Sequence, residues 1–400
     1  MKTRRLLARF ALAAAATLFA LAALELGLRL VGWSHPNFYR PDPVRGWELR
    51  PGAAGRWRQE GDAPVRINRD GLRDEEHPPA KPPRELRIAL LGDSMVEALQ
   101  VPRDRTFWEL VERRLEGCEP LRGRRVEVLN FGVSGYGTAQ ELLTLRHEVW
   151  KYRPDLVLLG FYAGNDVRNN HRPLEQDPLR PYFTLEGDPP RLVLDDSFRQ
   201  SRGYRFRRSA PGRLLYGLLD ASRALQLGKQ AKSALDGWVG AWKARKSTRG
   251  EAVLQELGLD NAVYAPPADA EWRQAWRATE ALIRQMHREA RAHGARFSVV
   301  TLTTPIQVDP DAAKRRAFAA RLGVRDLFAP ERRLAAFARR EGFPLLPLAP
   351  DLQRHAVRTG AYLHGFPNTP PGEGHWNAEG HRVAGNRIAL WLCREVLAGG

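Results

Sequence analysis

Short apolar runs alternating with longer stretches of helical spacing predict an α/β fold. Its centre is a parallel sheet covered by helices on both faces, a three-layer sandwich. Glycine, serine and asparagine cluster directly after those runs, where the carboxyl ends of parallel strands present groups to a ligand. An apolar N-terminal stretch precedes the alternation, and one long interruption breaks it. These features divide the 400 residues into an anchor (1–33), an extension ending in a proline-rich linker (34–84), a first core part (85–166), an insertion (167–270) and a second core part (271–400).

In the anchor, Lys2, Arg4, Arg5 and Arg9 precede an uncharged run over 10–24. As a helix that run is about 22 Å long, short of the roughly 30 Å of hydrocarbon in a bilayer. Continuing through Leu26, Leu28, Leu30 and Val31 supplies the missing length, with Glu25 and Arg29 one turn apart at the outer interface. A transmembrane helix is therefore expected. A cleaved signal peptide is the alternative, because Ala20-Leu21-Ala22 offers small residues at cleavage spacing. Either way the cations stay inside and the remaining chain lies outside the cytoplasm, in the periplasm or at the cell surface.

The extension carries a turn signal at Asn68-Arg69-Asp70-Gly71, and Pro78, Pro79, Pro82 and Pro83 make its end a stiff spacer. Buried strands are expected over 86–91, 126–129, 156–161, 297–302 and 345–348. Helices are expected over 107–115, 138–150, 272–293, 331–340 and 378–397. The insertion contains the turn signal Glu186-Gly187-Asp188-Pro189-Pro190 and an amphipathic stretch over 214–246. It is read as a cap over the active edge of the sheet. Trp238 and Trp242 share one helical face, followed by Lys243, Arg245 and Lys246. Such a face can rest on a membrane, but the plainer reading buries both tryptophans against the cap's own domain.

Composition removes several classes. With 43% hydrophobic and 27% charged residues, the chain is long enough for a core and is neither disordered nor a small disulfide scaffold. The net charge of +17 comes from 63 basic and 46 acidic residues, dispersed without a dense basic block. No nucleic acid is expected as partner; such a surface tolerates anionic lipid or glycan. Cys118 and Cys393 are too few for a cysteine-rich zinc site or a Cys-X-X-Cys pair. They form a disulfide in an oxidising compartment or two buried thiols, and spacing does not choose.

The chemistry follows from what stands after each strand. Gly92-Asp93-Ser94 follows the first, Asn130-Phe131-Gly132-Val133-Ser134-Gly135 the second and Gly164-Asn165-Asp166 the third. Gly374-His375-Trp376-Asn377 leads into the last helix. A hydroxyl, a tight glycine turn, an amide and an imidazole on one edge are the parts of acyl transfer: a serine needs a base, and its tetrahedral intermediate needs fixed donors. Ser94 is not in a Gly-X-Ser-X-Gly elbow, and His375 and His381 lack zincin spacing.

These four blocks, in order over 86–397, resemble the SGNH (GDSL-like) hydrolase family. The resemblance implies a flavodoxin-like sandwich with Ser94 as nucleophile and His375 as general base. It also implies an oxyanion hole from the Ser94 and Gly135 backbone N–H groups and the Asn165 amide, with no cofactor and no metal. Two departures stand out. Ala163 and Gly164 shift the third block slightly, and position 372, where the family places its aspartate, is glycine. Glu373 is the expected substitute acid. Asp351, or a Ser–His dyad oriented by a backbone carbonyl, are the alternatives.

Structural roles are expected for Asp93, Asp166 and His381, and a helix cap for Asn377. The expected activity is a Ser–His esterase that hydrolyses acyl esters, acetyl above all, on a small molecule or glycan. An O-acyltransferase acting on a glycan is an alternative, as is a binding or assembly protein with weakened chemistry, for which the absent aspartate is the one argument.

Overall fold

The computed structural model describes residues 2–232, 235 and 261–398. It begins with helix α1, Lys2–Leu30, whose Leu6–Leu30 part has a mean hydropathy of 2.0 and no residue buried inside the protein. In length and composition it suits a membrane anchor or a signal sequence. Two antiparallel hairpins follow, β1 (Tyr39–Asp42) with β2 (Gly46–Leu49), and β3 (Ala54–Trp57) with β4 (Ala63–Arg66). The main sheet starts with β5 (Glu85–Gly92), β6 (Arg125–Asn130) and β7 (Leu156–Tyr162). A further hairpin, β8 (Tyr182–Glu186) and β9 (Arg191–Asp195), turns at the expected Gly187 signal. Strands β10 (Arg296–Leu302) and β11 (Leu345–Pro347) complete the sheet.

The main sheet has five parallel strands in the order β6-β5-β7-β10-β11. All five match the expected runs to within two residues at each end. Their apolar residues alternate between two cores, because successive side chains leave a strand on opposite faces. Ala89 and Leu91 of β5 join one cluster, packed by α2 (Thr138–Thr144), α3 (Ala270–Ala292) and α4 (Ala329–Glu341). Leu86, Ile88 and Leu90 join the other, packed by Phe107–Leu115, Ala349–Thr359 and the closing helix Ala378–Trp391. That is the three-layer α/β sandwich. The helical paths expected over 138–150 and 378–397 continue past Thr144 and Trp391 as π-helical turns.

The strand order reverses between β5 and β7: the chain runs from β5 outward to β6, then returns to the far side of β5. Ligands bind at such switch points, beyond the carboxyl ends of the two strands whose connections diverge. Ser94 follows β5 and Asn165 follows β7, so the topology itself places them together.

Two expected boundaries change. Among the described residues, 38–204 and 261–398 form one compact unit, and 2–37 with 205–232 and 235 form another. The region expected to be an extension and linker is therefore mostly part of the sheet's own unit. Phe38, Leu49, Val65 and Ile67 make a third apolar cluster with Leu99, Val133 and Tyr136. Even the proline-rich segment is fixed: His77 Nδ1 lies 2.9 Å from Glu127 and Lys81 Nζ 2.8 Å from Asp155. Of the insertion 167–270, expected to cap the sheet, the described residues 205–232 and 235 group instead with the N-terminal helix. Trp238, Trp242, Lys243, Arg245 and Lys246 lie outside the described residues.

Cys118 and Cys393 form a disulfide with Cα atoms 5.8 Å apart. It ties the loop after Phe107–Leu115 to the end of the closing helix, 275 residues away in sequence. Cross-linking so distant a pair restricts the unfolded chain, and a disulfide of this kind contributes about 2–5 kcal/mol. Cys118→Ser with Cys393→Ser should lower the denaturant midpoint and steepen the slope, because the unlinked unfolded chain exposes more surface; an unchanged midpoint would contradict the bridge.

Candidate active site

Ser94 opens the short helix Ser94–Glu97, which Asp93 caps by accepting from the Met95 N–H at 2.9 Å. Ser94 is thus not the cap, and its hydroxyl is left for other work. The helix sits very close to the loop after β6. A Cβ on Gly132 would come 2.4 Å from the Glu97 nitrogen, so only glycine fits there. The other end of the helix is held by the extension. Fully buried Arg73 donates to the carbonyls of Glu97, Ala98 and Val101, meeting acceptors that a helix end leaves unpaired.

His375 brings the imidazole. Its Nε2 lies 2.8 Å from Ser94 Oγ, and its Nδ1 lies 2.5 Å from Glu60 Oε2. The other Glu60 oxygen accepts from the His375 backbone N–H at 2.5 Å. Sequence reasoning missed Glu60, which sits at the tip of the β3–β4 hairpin in the region read as extension. Glu373, the expected acid, is exposed at the rim of the cleft between two glycines with left-handed backbone, Gly372 at φ +74° and Gly374 at φ +72°. Asp351 is tied to Arg354 and Arg387 and takes no part. A Ser–His dyad is likewise not what the geometry presents.

Glu60 is delivered by a clamped turn. Asn368 Oδ1 accepts from the Gly61 N–H at 2.9 Å, while its Nδ2 donates to the carbonyls of Gly61 (3.1 Å) and Arg58 (3.2 Å). Gly374 makes room on the histidine side, where a Cβ would fall 2.0 Å from Glu60 Oε1. Beneath, buried His364 fixes the same loop, its Nδ1 2.6 Å from the Gly374 carbonyl and its Nε2 3.1 Å from Thr303.

The charges follow the geometry. Burial disfavours the imidazolium of His375, but the hydrogen bond and charge of Glu60 outweigh it and raise the pKa above the ordinary histidine value. Burial likewise works against the Glu60 carboxylate, and its bonds to His375 hold it below the usual range all the same. Burial raises Asp93 and pushes Glu97 up to about 8.

Asn165 Nδ2 donates to Asp93 Oδ2 at 2.9 Å, which fixes the amide beside Ser94. Around Gly135 (φ +77°), Trp47 Nε1 holds the Ser134 carbonyl at 3.0 Å and Arg180 the Gly135 carbonyl at 2.8 Å. The Glu97 carboxylate accepts from the Tyr39 hydroxyl through both oxygens, each at 2.9 Å. Asp166 is buried and accepts from the Tyr162 N–H, His381 is stacked on Phe107, and Asn377 caps the closing helix; all three are structural.

Ser94, His375, Glu60 and Asn165 line one cleft of about 560 Å³. Trp57, Ile306 and Phe318 give it apolar walls, and none of its lining residues comes from 167–270. The expected cap therefore does not shape this cleft among the described residues.

No family profile and no curated protein sequence matches the chain. Similar solved structures include TesA, with 14% identity over 78% of this chain and 99% of that one, at a TM-score of 0.34. The acetyl xylan esterase AlAXEase has 10% identity over 77% and 100%, at 0.38. A catalytic mutant of the acetylxylan esterase Axe2 from Geobacillus stearothermophilus has 12% identity over 77% and 93%, at 0.37.

The contrast between the two glutamates is testable. Glu60→Gln should reduce kcat on an activated ester by about 10³–10⁴-fold, as loss of the partner of a catalytic histidine does elsewhere. The base must be neutral to act, so losing the anion that raises its pKa should also move the acid limb of kcat/KM to lower pH. Glu373→Gln should leave both unchanged. The reverse pattern would return the acid role to Glu373.

Proposed function

We propose that the chain is a membrane-anchored, extracytoplasmic serine esterase of the SGNH type. The observation that carries this reading is the unbroken hydrogen-bond chain from Ser94 through His375 to Glu60. His375 takes the Ser94 proton as the hydroxyl attacks an ester carbonyl, and Glu60 keeps Nδ1 protonated and stabilises the imidazolium. The negative oxygen then meets the N–H of Ser94, that of Gly135 and the second N–H of the Asn165 amide. A trans peptide points its C=O and N–H in opposite directions. Trp47, by holding the Ser134 carbonyl, therefore fixes where the Gly135 N–H points. His375 returns the proton to the leaving alcohol, and water, activated by the same ring, releases the acid.

The cleft volume suits a small acyl group with part of its alcohol. Its aromatic wall at Trp57 fits a sugar ring, in keeping with an acylated glycan as substrate. The alternative of a binding protein with weakened chemistry rested on the missing aspartate, and Glu60 removes that ground. Export is supported by the apolar N-terminal helix and by the disulfide, which persists in oxidising compartments.

A fluorophosphonate should label wild-type protein at Ser94 and leave Ser94→Ala unlabelled. Asn165→Ala should still be labelled and folded but lose about 10²–10³-fold in kcat. Absence of labelling in folded protein would contradict the esterase reading. Faster acyl transfer to an added oligosaccharide than to water would make it a transferase.

A further inference from the structure

Beyond α1, the exposed large apolar side chains of the described chain are concentrated in residues 205–232. Helix Ala210–Ala221 has the sequence APGRLLYGLLDA, and only Gly212 in it is buried. Leu214 is 65% and Leu218 54% exposed; Leu215 and Tyr216 are exposed too, as are Phe206 just before and Leu225 just after. A contiguous apolar surface of this kind marks a place where something else binds.

What binds is indicated by where the helix is attached. It belongs to the same compact unit as α1, and three hydrogen bonds pin its end to the last turns of that helix. Glu25 Oε2 accepts from Ser222 Oγ and from the Ala224 N–H, both at 2.9 Å, and Arg29 Nη2 donates to the Ala221 carbonyl at 2.7 Å. Glu25 and Arg29 are the charged pair that ends the apolar run of α1, the level at which a spanning helix leaves the hydrocarbon. The Leu6–Leu30 stretch, about 37 Å as a helix, is long enough to reach it. Charge points the same way: between 205 and 232 there are seven basic residues and one acid, Asp220.

From these observations we infer that Ala210–Ala221 is a second membrane contact, a helix lying in the outer headgroup layer beside the exit of α1. Its leucines enter the acyl boundary, and the surrounding arginines and lysines meet anionic lipid. The inference rests on α1 being a membrane anchor, and it gives Glu25 and Arg29 a purpose as the joint between the two helices. A spanning helix alone swivels about its axis; one joined to an interfacial helix does not.

The test uses the full-length chain, one copy per nanodisc of phosphatidylethanolamine and phosphatidylglycerol. An environment-sensitive fluorophore is placed in turn at Leu218→Cys and at Leu18→Cys, the native cysteines being bridged. Expected is blue-shifted emission from position 218, quenched by a spin label at a shallow acyl carbon more than by one deep in the chain. Position 18 should be quenched most by the deep label. Water-like emission at 218 with quenching at 18 overturns the proposal and leaves the anchor intact. Blue-shifted emission at 218 that no lipid label quenches means protein covers the helix, this chain or a second copy, and overturns it as well. Loss of quenching at position 18 overturns the anchor itself.

Discussion

The contact between the Glu60 carboxylate and both nitrogens of His375, ring and backbone, is the constraint around which this site is built. A buried carboxylate is costly unless its lone pairs are satisfied. Glu60 meets that condition by taking two N–H groups from one residue. The same two bonds set the ring plane, select the tautomer with hydrogen on Nδ1 and aim Nε2 at Ser94. Orientation and charge support therefore come from one side chain.

That arrangement changes what the N-terminal region is for. In a fold whose acid lies beside the histidine, the base carries its own support on one loop. Here the acid arrives on a hairpin that is more than 300 residues earlier in the chain, so the region 38–84 has to be docked before the site is complete. The docking is extensive. Arg73 and Tyr39 hold the Ser94–Glu97 helix, Trp47 reaches the loop that carries Gly135, and Asn368 grips the hairpin turn. The third apolar cluster buries Val133 and Tyr136, which flank the proposed oxyanion turn, against Phe38, Val65 and Ile67 of the same region. One packing event thus positions Glu60, Ser94 and the Gly135 loop together.

Much of this is legible in the sequence, for physical reasons. Buried parallel strands are continuous apolar runs, so 86–91 or 297–302 announce themselves. The Gly-Asp-Ser and His-Trp-Asn segments stand at element ends, where topology concentrates ligand groups, so the convergence of Ser94, Asn165 and His375 is readable from chain order alone. Glu60 is not. Its hairpin strands have four residues each, include Pro64 and carry mixed polarity, so they give no periodic signal. The link between Glu60 and His375 is purely tertiary. A faint cue exists in Glu60-Gly61-Asp62, residues that favour a turn, but nothing local ties such a turn to a histidine 315 positions away. The insertion misleads for the opposite reason: amphipathic spacing in 214–246 shows that a face is apolar and does not say whether protein or lipid covers it.

The site turns on one ring in one electrostatic environment, and histidine-selective ¹⁵N NMR reads it directly. In the wild-type protein the His375 resonances should show Nδ1 protonated at neutral pH and titrate above the ordinary histidine range. Glu60→Gln should bring that titration down, and Glu373→Gln should leave it where it was. A His375 titration insensitive to Glu60 but shifted by Glu373 would contradict the account.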